Sequence, residues 1–245
     1  MRIAIISDVH GNLTALDAVL ADLRQQRPDV VFHGGDLPYG GCNPCEVIDC
    51  IAREGWRGVL GNTDEMLWST EARAGLEASA PRLKPLFKIL FESCGPATNR
   101  MIGDEHLEWL RRLPVELRHE NLALLHASPG SLWRAPMDTA DAAELENTYK
   151  SLDAAIIVYC HIHRPFVRKV GPITVCNAGS VGSPYDGDTR SSYLLITDGQ
   201  PAIRRVEYDV EKEVGRLSAS DYPHKLWLAE MRRRGSYVPP PDDTG

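Results

Sequence analysis

The sequence of 245 residues predicts an α/β fold, and three observations carry that prediction. Short continuous apolar runs alternate with amphipathic stretches through the first quarter of the chain, the pattern of parallel strands joined by helices. Residues 64–112 are dominated by Glu, Ala, Leu, Arg and Lys with no β-branched run, so they read as a helical insert of two or three helices. Beyond the insert, strand-like runs follow one another between Gly and Pro turns, as in a more antiparallel layer. The length suits one α/β domain. Its expected extent is 1–235, and residues 236–245, with Pro239-Pro240-Pro241, read as an extended or disordered tail.

Residues 2–7 (Arg-Ile-Ala-Ile-Ile-Ser) predict a strand buried on both faces. Over 12–26, Leu13, Leu16, Val19, Leu20 and Leu23 recur at helical spacing ahead of Pro28, returning the chain to a strand at 30–33. A helix over 44–54 starts near Pro44 and leads to a strand at 57–60. Pro114 closes the insert, and 115–119 with 121–126 predict a hairpin turning at Glu120-Asn121. A helix over 139–150 precedes strands at 154–159, 166–170, 173–176, 191–197 and 202–207. A last helical segment ends in Arg232-Arg233-Arg234, cations that complement a helix C-terminus.

Composition excludes several classes. No segment approaches the 18 or so apolar residues of a membrane span. The first apolar stretch, Ile3 to Ile6, is cut short by Asp8, so no signal peptide is expected. Cys160 and Cys176 lie inside apolar runs, as reduced structural cysteines do, and a cytoplasmic location is the expectation. Cys42 and Cys45 form a C-x-x-C that no second pair completes, so it reads as a loop. A formal charge of −7 argues against general nucleic-acid binding. P-loop, G-x-G-x-x-G and G-x-S-x-G signatures are absent from the sequence.

The chemistry-bearing residues stand at the ends of apolar runs: Asp8-Val9-His10, Gly35-Asp36, Gly61-Asn62, His126 and His161-Ile162-His163. Two carboxylates, four imidazoles and one carboxamide suit a pair of divalent cations. In extended backbone the i, i+2 pairs Asp8/His10 and His161/His163 would share a face while Val9 and Ile162 turn into packing. A carboxylate such as Asp36 can bridge two cations about 3.5 to 4 Å apart. Mixed imidazole and carboxylate donors favour manganese, iron, zinc or nickel over calcium. Any one fragment alone is more often a turn or a cap. Five in one order, each after an apolar run, are a different matter. His106, His119 and His224 read as surface residues, and His33 as structural.

As a set the fragments resemble the calcineurin-like metallophosphoesterases, whose signature runs D-x-H, G-D, G-N-H-[DE], H and G-H-x-H. Here these positions are Asp8-Val9-His10, Gly35-Asp36, Gly61-Asn62-Thr63-Asp64, His126 and Cys160-His161-Ile162-His163. His163-Arg164-Pro165 and Asn177-Ala178-Gly179-Ser180-Val181-Gly182 are similar to the H-x-H-R-P and N-P-G-S-V-G of small bacterial and archaeal phosphodiesterases. The likeness runs from residue 1 to about 207.

The resemblance implies a four-layer α/β/β/α sandwich and two divalent transition-metal ions. Asp8, His10 and His163 would hold one, Asn62, His126 and His161 the other, and Asp36 would bridge them. It implies a phosphodiesterase in which a metal-bridging hydroxide attacks the phosphorus of a small phosphorylated substrate, with Asp36, Asn62 and His126 at the reacting centre. Arg134, Arg164 and Arg190, in loops after the site strands, are candidates to grip phosphate. The family His between Asn62 and Asp64 helps protonate the leaving group, and Thr63, which replaces it, is a poor general acid. Good leaving groups are therefore expected, unless a residue of the insert substitutes. Asp64 is expected to orient His10 from behind. Cys160 and Ala178 also depart from the pattern without removing a ligand. Trp68, Trp109 and Trp133 are available to stack on a base, or to fill core. Two alternatives stand beside this reading: a phosphoprotein or dinucleoside-polyphosphate phosphatase, and a noncatalytic metal-binding scaffold for a protein partner. The sequence carries no signal for oligomeric state.

Overall fold

The computed structural model describes residues 1–241 and stacks two five-stranded sheets. The first begins with β1 (Arg2–Ile6), joined through α1 (Leu13–Gln26) to the parallel strand β2 (Val30–His33). Asn12 starts α1 by accepting the Ala15 N–H on its side chain, and Pro44 opens α2 (Pro44–Arg53), where its missing N–H is no loss. β3 (Arg57–Gly58) then pairs with β2 in parallel, two residues shorter than the sequence suggests.

The insert is helical as expected but begins on the site itself: α3 (Asn62–Glu65), α4 (Glu71–Ser79), α5 (Lys84–Lys88) and α6 (Gly95–Arg111), with a π-helical turn at Ile89–Cys94. β4 (Glu116–His119) and β5 (Leu122–Leu125) form the hairpin, with Glu120 in left-handed backbone at its turn. After α7 (Ala142–Tyr149) come β6 (Ile156–Tyr159), β7 (Phe166–Val170) and β8 (Ile173–Asn177), giving the second sheet the order β4-β5-β6-β8-β7.

The second half of the chain is not one antiparallel layer. β5, β6 and β8 run parallel, and β9 (Ser191–Thr197) with β10 (Gln200–Val206) returns to the first sheet, where β9 lies antiparallel to β1. The physical reason is that β9 is apolar on both faces. Leu194 and Ile196 pack between the sheets and Tyr193 and Leu195 on the helical side, which only an interior strand allows. A helix not expected from the sequence, α8 (Val210–Ala219), precedes α9 (Lys225–Arg234); Asp209 caps it, and Val210, Val214 and Leu217 have helical spacing.

Four layers result. Ile3, Ile5, Phe32, Leu194 and Ile196 meet Leu122, Leu124, Val158 and Cys176 between the sheets. Helices α1 and α2 cover the outside of the first sheet through Leu16, Val19, Val47 and Ile51. On the outside of the second, α7 contributes Leu145 and Tyr149. A further cluster joins the insert (Phe87, Ile89, Phe91) to α8 and α9 (Leu217, Trp227, Met231). The expected tail is in part anchored there: Trp227 Nε1 donates to the Val238 carbonyl at 2.9 Å, while residues 242–245 lie outside the described ones. All six cysteines are free thiols, and among the described residues no helix is long and apolar enough to cross a membrane.

Candidate metal centre

Every candidate ligand leaves the carboxyl end of a strand: Asp8 and His10 after β1, Asp36 after β2, Asn62 after β3, His126 after β5, and His161 and His163 after β6. These ends are stitched together. Asp8 N–H donates to Gly35 O, His10 N–H to Asp36 O, Cys160 N–H to His126 O, and His126 Nδ1 spans the two sheets to Gly34 O at 2.7 Å.

The paired ligands do converge, but not by strand alternation. Asp8, His10, Asp36, His161 and His163 all have φ between 52° and 68°, the left-handed region, so the strands have ended before the ligands start. Asp and His tolerate that conformation better than most residues, yet each costs about 1 to 3 kcal/mol, which the surrounding hydrogen bonds must offset. Val9 and Ile162 turn into the core as expected.

Asp8, His10, Asp36 and His163 place one ligand atom each within 4.8 Å of one another. His10 Nδ1 donates to Tyr39 O (2.9 Å) and His163 Nδ1 to Ser183 O (2.5 Å), since a carbonyl can only accept. Their Nε2 lone pairs therefore face each other across 3.2 Å, with Asp8 Oδ1 3.1 Å from His163 Nε2. Both oxygens of Asp8 are buried without a hydrogen-bond partner. An orphaned buried carboxylate opposite two imidazole lone pairs is a poor arrangement by itself and a good one around a cation, so these residues fit a divalent metal.

On the other side, Asn62 Oδ1 is approached at 2.8 Å by both His126 Nε2 and His161 Nδ1. His126 has committed Nδ1–H to Gly34 O, so its Nε2 lone pair faces Asn62, an arrangement that suits a cation. Asp36 lies between the groups, Oδ2 3.7 Å from His10 Nε2 and Oδ1 3.5 Å from His126 Nε2.

Burial governs the titration of the cluster. It pushes the Asp36 carboxyl up to about 7 against the pull of His126, and pushes His161 down to about 3 with help from His126. For Asp8 burial acts upward as well, but His163, His126 and His10 together hold the carboxyl below its ordinary range. For His126 burial acts downward, and the carboxylates of Asp36 and Asp8 leave it raised. A metal ion would override these values.

The supporting residues differ from expectation. Asp64 does not touch His10; its carboxylate accepts the N–H groups of Asp36 (2.8 Å), Leu37 (3.0 Å) and Gly61 (3.0 Å), so it fixes the turn that carries Asp36. Thr63 contributes its N–H to Asp36 Oδ1 at 2.9 Å, and its hydroxyl is buried without a partner. The Asn177–Gly182 loop braces the first ligand: Ser180 Oγ donates to Asp8 O (2.7 Å) and Gly182 N–H to the same carbonyl (3.0 Å). Cys160 is packed between the sheets rather than turned to the ligands.

A cavity of about 460 Å³ opens onto five of these residues, His10, Asp36, Asn62, His161 and His163. Of the three arginine candidates only Arg164 lines it, 3.5 Å from Asp138; Arg190 is paired with Asp188 on the surface, and exposed Arg134 is outside the lining. None of the three candidate tryptophans lines it. Trp68 lies under Arg111, Trp109 stacks on His33 and Trp133 on Phe91. The aromatic walls are Trp227, Tyr237, Tyr39 and Tyr185, the last stacked on His163 at 4.3 Å.

Arg232, read from sequence as a dipole complement, is 1% exposed and donates Nη2 to the carbonyls of His10 (3.1 Å) and Gly40 (3.0 Å). Only Arg233 and Arg234 are the solvated pair expected, on Glu211 and Glu230. One sequence signal was available: position 232 follows Leu228 and Met231 on the apolar face of α9.

Known proteins are similar to this chain in sequence and in fold. The protein MJ0912 of Methanocaldococcus jannaschii is 29% identical over 93% of this chain and 96% of its own length. A symmetrical bis(5'-nucleosyl)-tetraphosphatase of Pectobacterium atrosepticum is 30% identical over 62% of the chain. The chain spans about half the length of the curated tetraphosphatases it matches, 52% in that case. Among solved structures, a metallophosphoesterase from Sphaerobacter thermophilus superposes with a TM-score of 0.76 at 26% identity, covering 96% of this chain and 99% of the other. A hypothetical protein from Pyrococcus horikoshii OT3 shares the fold with a TM-score of 0.82 at 18% identity, covering 97% and 99%. The model of the calcineurin-like phosphoesterase superfamily domain matches residues 1–200, and the chain belongs to that superfamily.

Proposed function

We propose that this phosphoesterase is a phosphodiesterase working with two divalent transition-metal ions, manganese, iron, zinc or nickel, that share Asp36. The observation that carries the reading is the orphaned Asp8 carboxylate and the facing imidazole nitrogens on one side of Asp36, with the Asn62, His126 and His161 group on the other. Metal ions held there supply Lewis acidity and lower the pKa of bound water.

The chain's own residues do the rest. Asp8, His10 and His163 form one ligand set and Asn62, His126 and His161 the second, each imidazole except that of His161 fixed by an Nδ1–H bond to a backbone carbonyl. Thr63 N–H and the Asp64-braced turn hold Asp36 between the two ligand sets, where its carboxylate would be shared. With Thr63 where the family has His, no side chain of the Gly61–Asp64 motif can donate a proton to the leaving oxygen at neutral pH, which favours esters of acidic alcohols. Asp36 and Asn62 line the cavity, His126 is buried against Asn62 Oδ1, and Arg164 is the one predicted arginine in reach of a small phosphorylated substrate. Six free thiols support a reducing, cytoplasmic setting.

The test is metal analysis of the purified protein together with hydrolysis of bis(4-nitrophenyl) phosphate, 4-nitrophenyl phosphate and diadenosine tetraphosphate. The diester should be cut fastest, and Asp36→Asn should reduce the rate at least 1000-fold by the usual scale of such electrostatic losses, on the order of 10³. A metal-loaded protein with no hydrolysis that Asp36→Asn removes points instead to the scaffold.

A further inference from the structure

The wall of the cavity opposite the ligands is apolar. Leu83, Leu86 and Leu90 of the insert are each only half-buried, and all three border the cavity. Trp227 and Met231 of α9 and Tyr237 complete that side. Part of each leucine packs on the cluster that joins the insert to α8 and α9, and the remainder borders the cavity beside the phosphoester site, a surface that suits an apolar occupant.

The cations available decide what the rest of that occupant is. Apart from the imidazoles, Arg164 and Arg232 are the only basic side chains among the described residues that line the cavity. Arg232 has committed Nη2 to two backbone carbonyls and keeps a buried Nε without a partner, and Arg164 stands beside Asp138. A polyphosphate chain, with about one negative charge per phosphate, would need cationic donors along its length, and Leu83, Leu86, Leu90 and Met231 offer none.

Building on the activity proposed above, we infer that the substrate is an ester with a single phosphoryl group and an apolar organic group. The phosphoryl group sits on the ligand floor, and the apolar group lies against Leu83, Leu86, Leu90 and Trp227. These four are specificity-determining residues and take no part in the chemical step.

Isothermal titration of the manganese-reconstituted full chain with methyl-, butyl- and octylphosphonate reads this without turnover. The association constant should rise about fourfold per added methylene until the wall is covered. Leu86→Asn and, as a second variant should that one fold poorly, Leu83→Asn should flatten the series. Leu226→Asn, on α9 but 73% exposed and away from the cavity, should keep it. A flat series in the wild type, or inorganic tripolyphosphate bound more tightly than octylphosphonate, overturns the inference. Hydrolysis of methyl 4-nitrophenyl phosphate, followed in parallel, reports on the proposed activity separately. A flat series with retained hydrolysis removes only the apolar assignment, and a steep series without hydrolysis supports that assignment while removing the activity.

Discussion

The floor of the cavity and its helical wall are built in opposite ways. On the floor, Asp8, His10, Asp36 and His163 are buried, carried on left-handed backbone and tied to one another through main-chain bonds. On the wall, Leu83, Leu86 and Leu90 are half-buried side chains on short helices, with a π-helical turn beginning between Leu86 and Leu90. Floor geometry is set by the path of the backbone, so a side-chain change there disturbs everything attached to it. Wall residues can be exchanged singly. Chemistry should therefore fail sharply with floor substitutions, and selectivity should drift with wall substitutions.

The strongest challenge to that contrast is a floor position with no side chain at all. A methyl group on Gly61 would overlap Asp36 Oδ1, so Gly61→Ala should displace the shared carboxylate and lower hydrolysis about 100-fold while the helical content is kept. Near-normal rates in that variant would show that Asp36 has room to move. Next is Arg232, which ties α9 to the floor. Arg232→Met strands the buried carbonyls of His10 and Gly40, and urea unfolding should show a loss of about 2 to 4 kcal/mol. An unchanged midpoint would mean that the wall and floor are not coupled through this residue.

His33 gives a smaller effect with a definite pH dependence. It is buried, stacks on Trp109, has no hydrogen-bond partner on either ring nitrogen, and burial holds it down to about 3. Its unfolded value is near 6.5, so between about pH 6.5 and 3 the unfolded chain binds a proton that the folded one refuses, and stability falls as the pH drops. From pH 7 to 5 the wild type should lose about 2 kcal/mol that His33→Leu retains, again by urea unfolding. Parallel losses in both proteins would assign the acid sensitivity elsewhere. Smallest is Thr63→His, which restores the family's imidazole at the cavity. It should raise hydrolysis of phenyl phosphate, a poor leaving group, about tenfold, and no change would show that Thr63 does not limit proton transfer.

The candidate ligands were legible in sequence because each combines a distinctive residue type with an apolar run, and both signals are local. So were the βαβ start, the helical insert and the Glu120-Asn121 hairpin. The rest depended on distant partners. Nothing near Asp64 reveals that its carboxylate takes three backbone N–H groups from two loops, and the return of β9 to β1 follows from burial on both faces, which the run at 191–197 shows only in hindsight. Left-handed backbone at five ligands is likewise invisible to a two-residue periodicity. Arg232 and Trp227 were hidden because α9 comes over the site from the far end of the chain.

The most direct test of the account is the metal-to-protein ratio of the stripped chain reloaded with manganese, measured by elemental analysis alongside electron paramagnetic resonance. Two ions per chain with an exchange-coupled signal are predicted, falling to about one uncoupled ion in Asn62→Leu and losing the coupling in Asp36→Asn. One ion or fewer in the wild type, or coupling that survives Asp36→Asn, would contradict a pair of sites joined through Asp36.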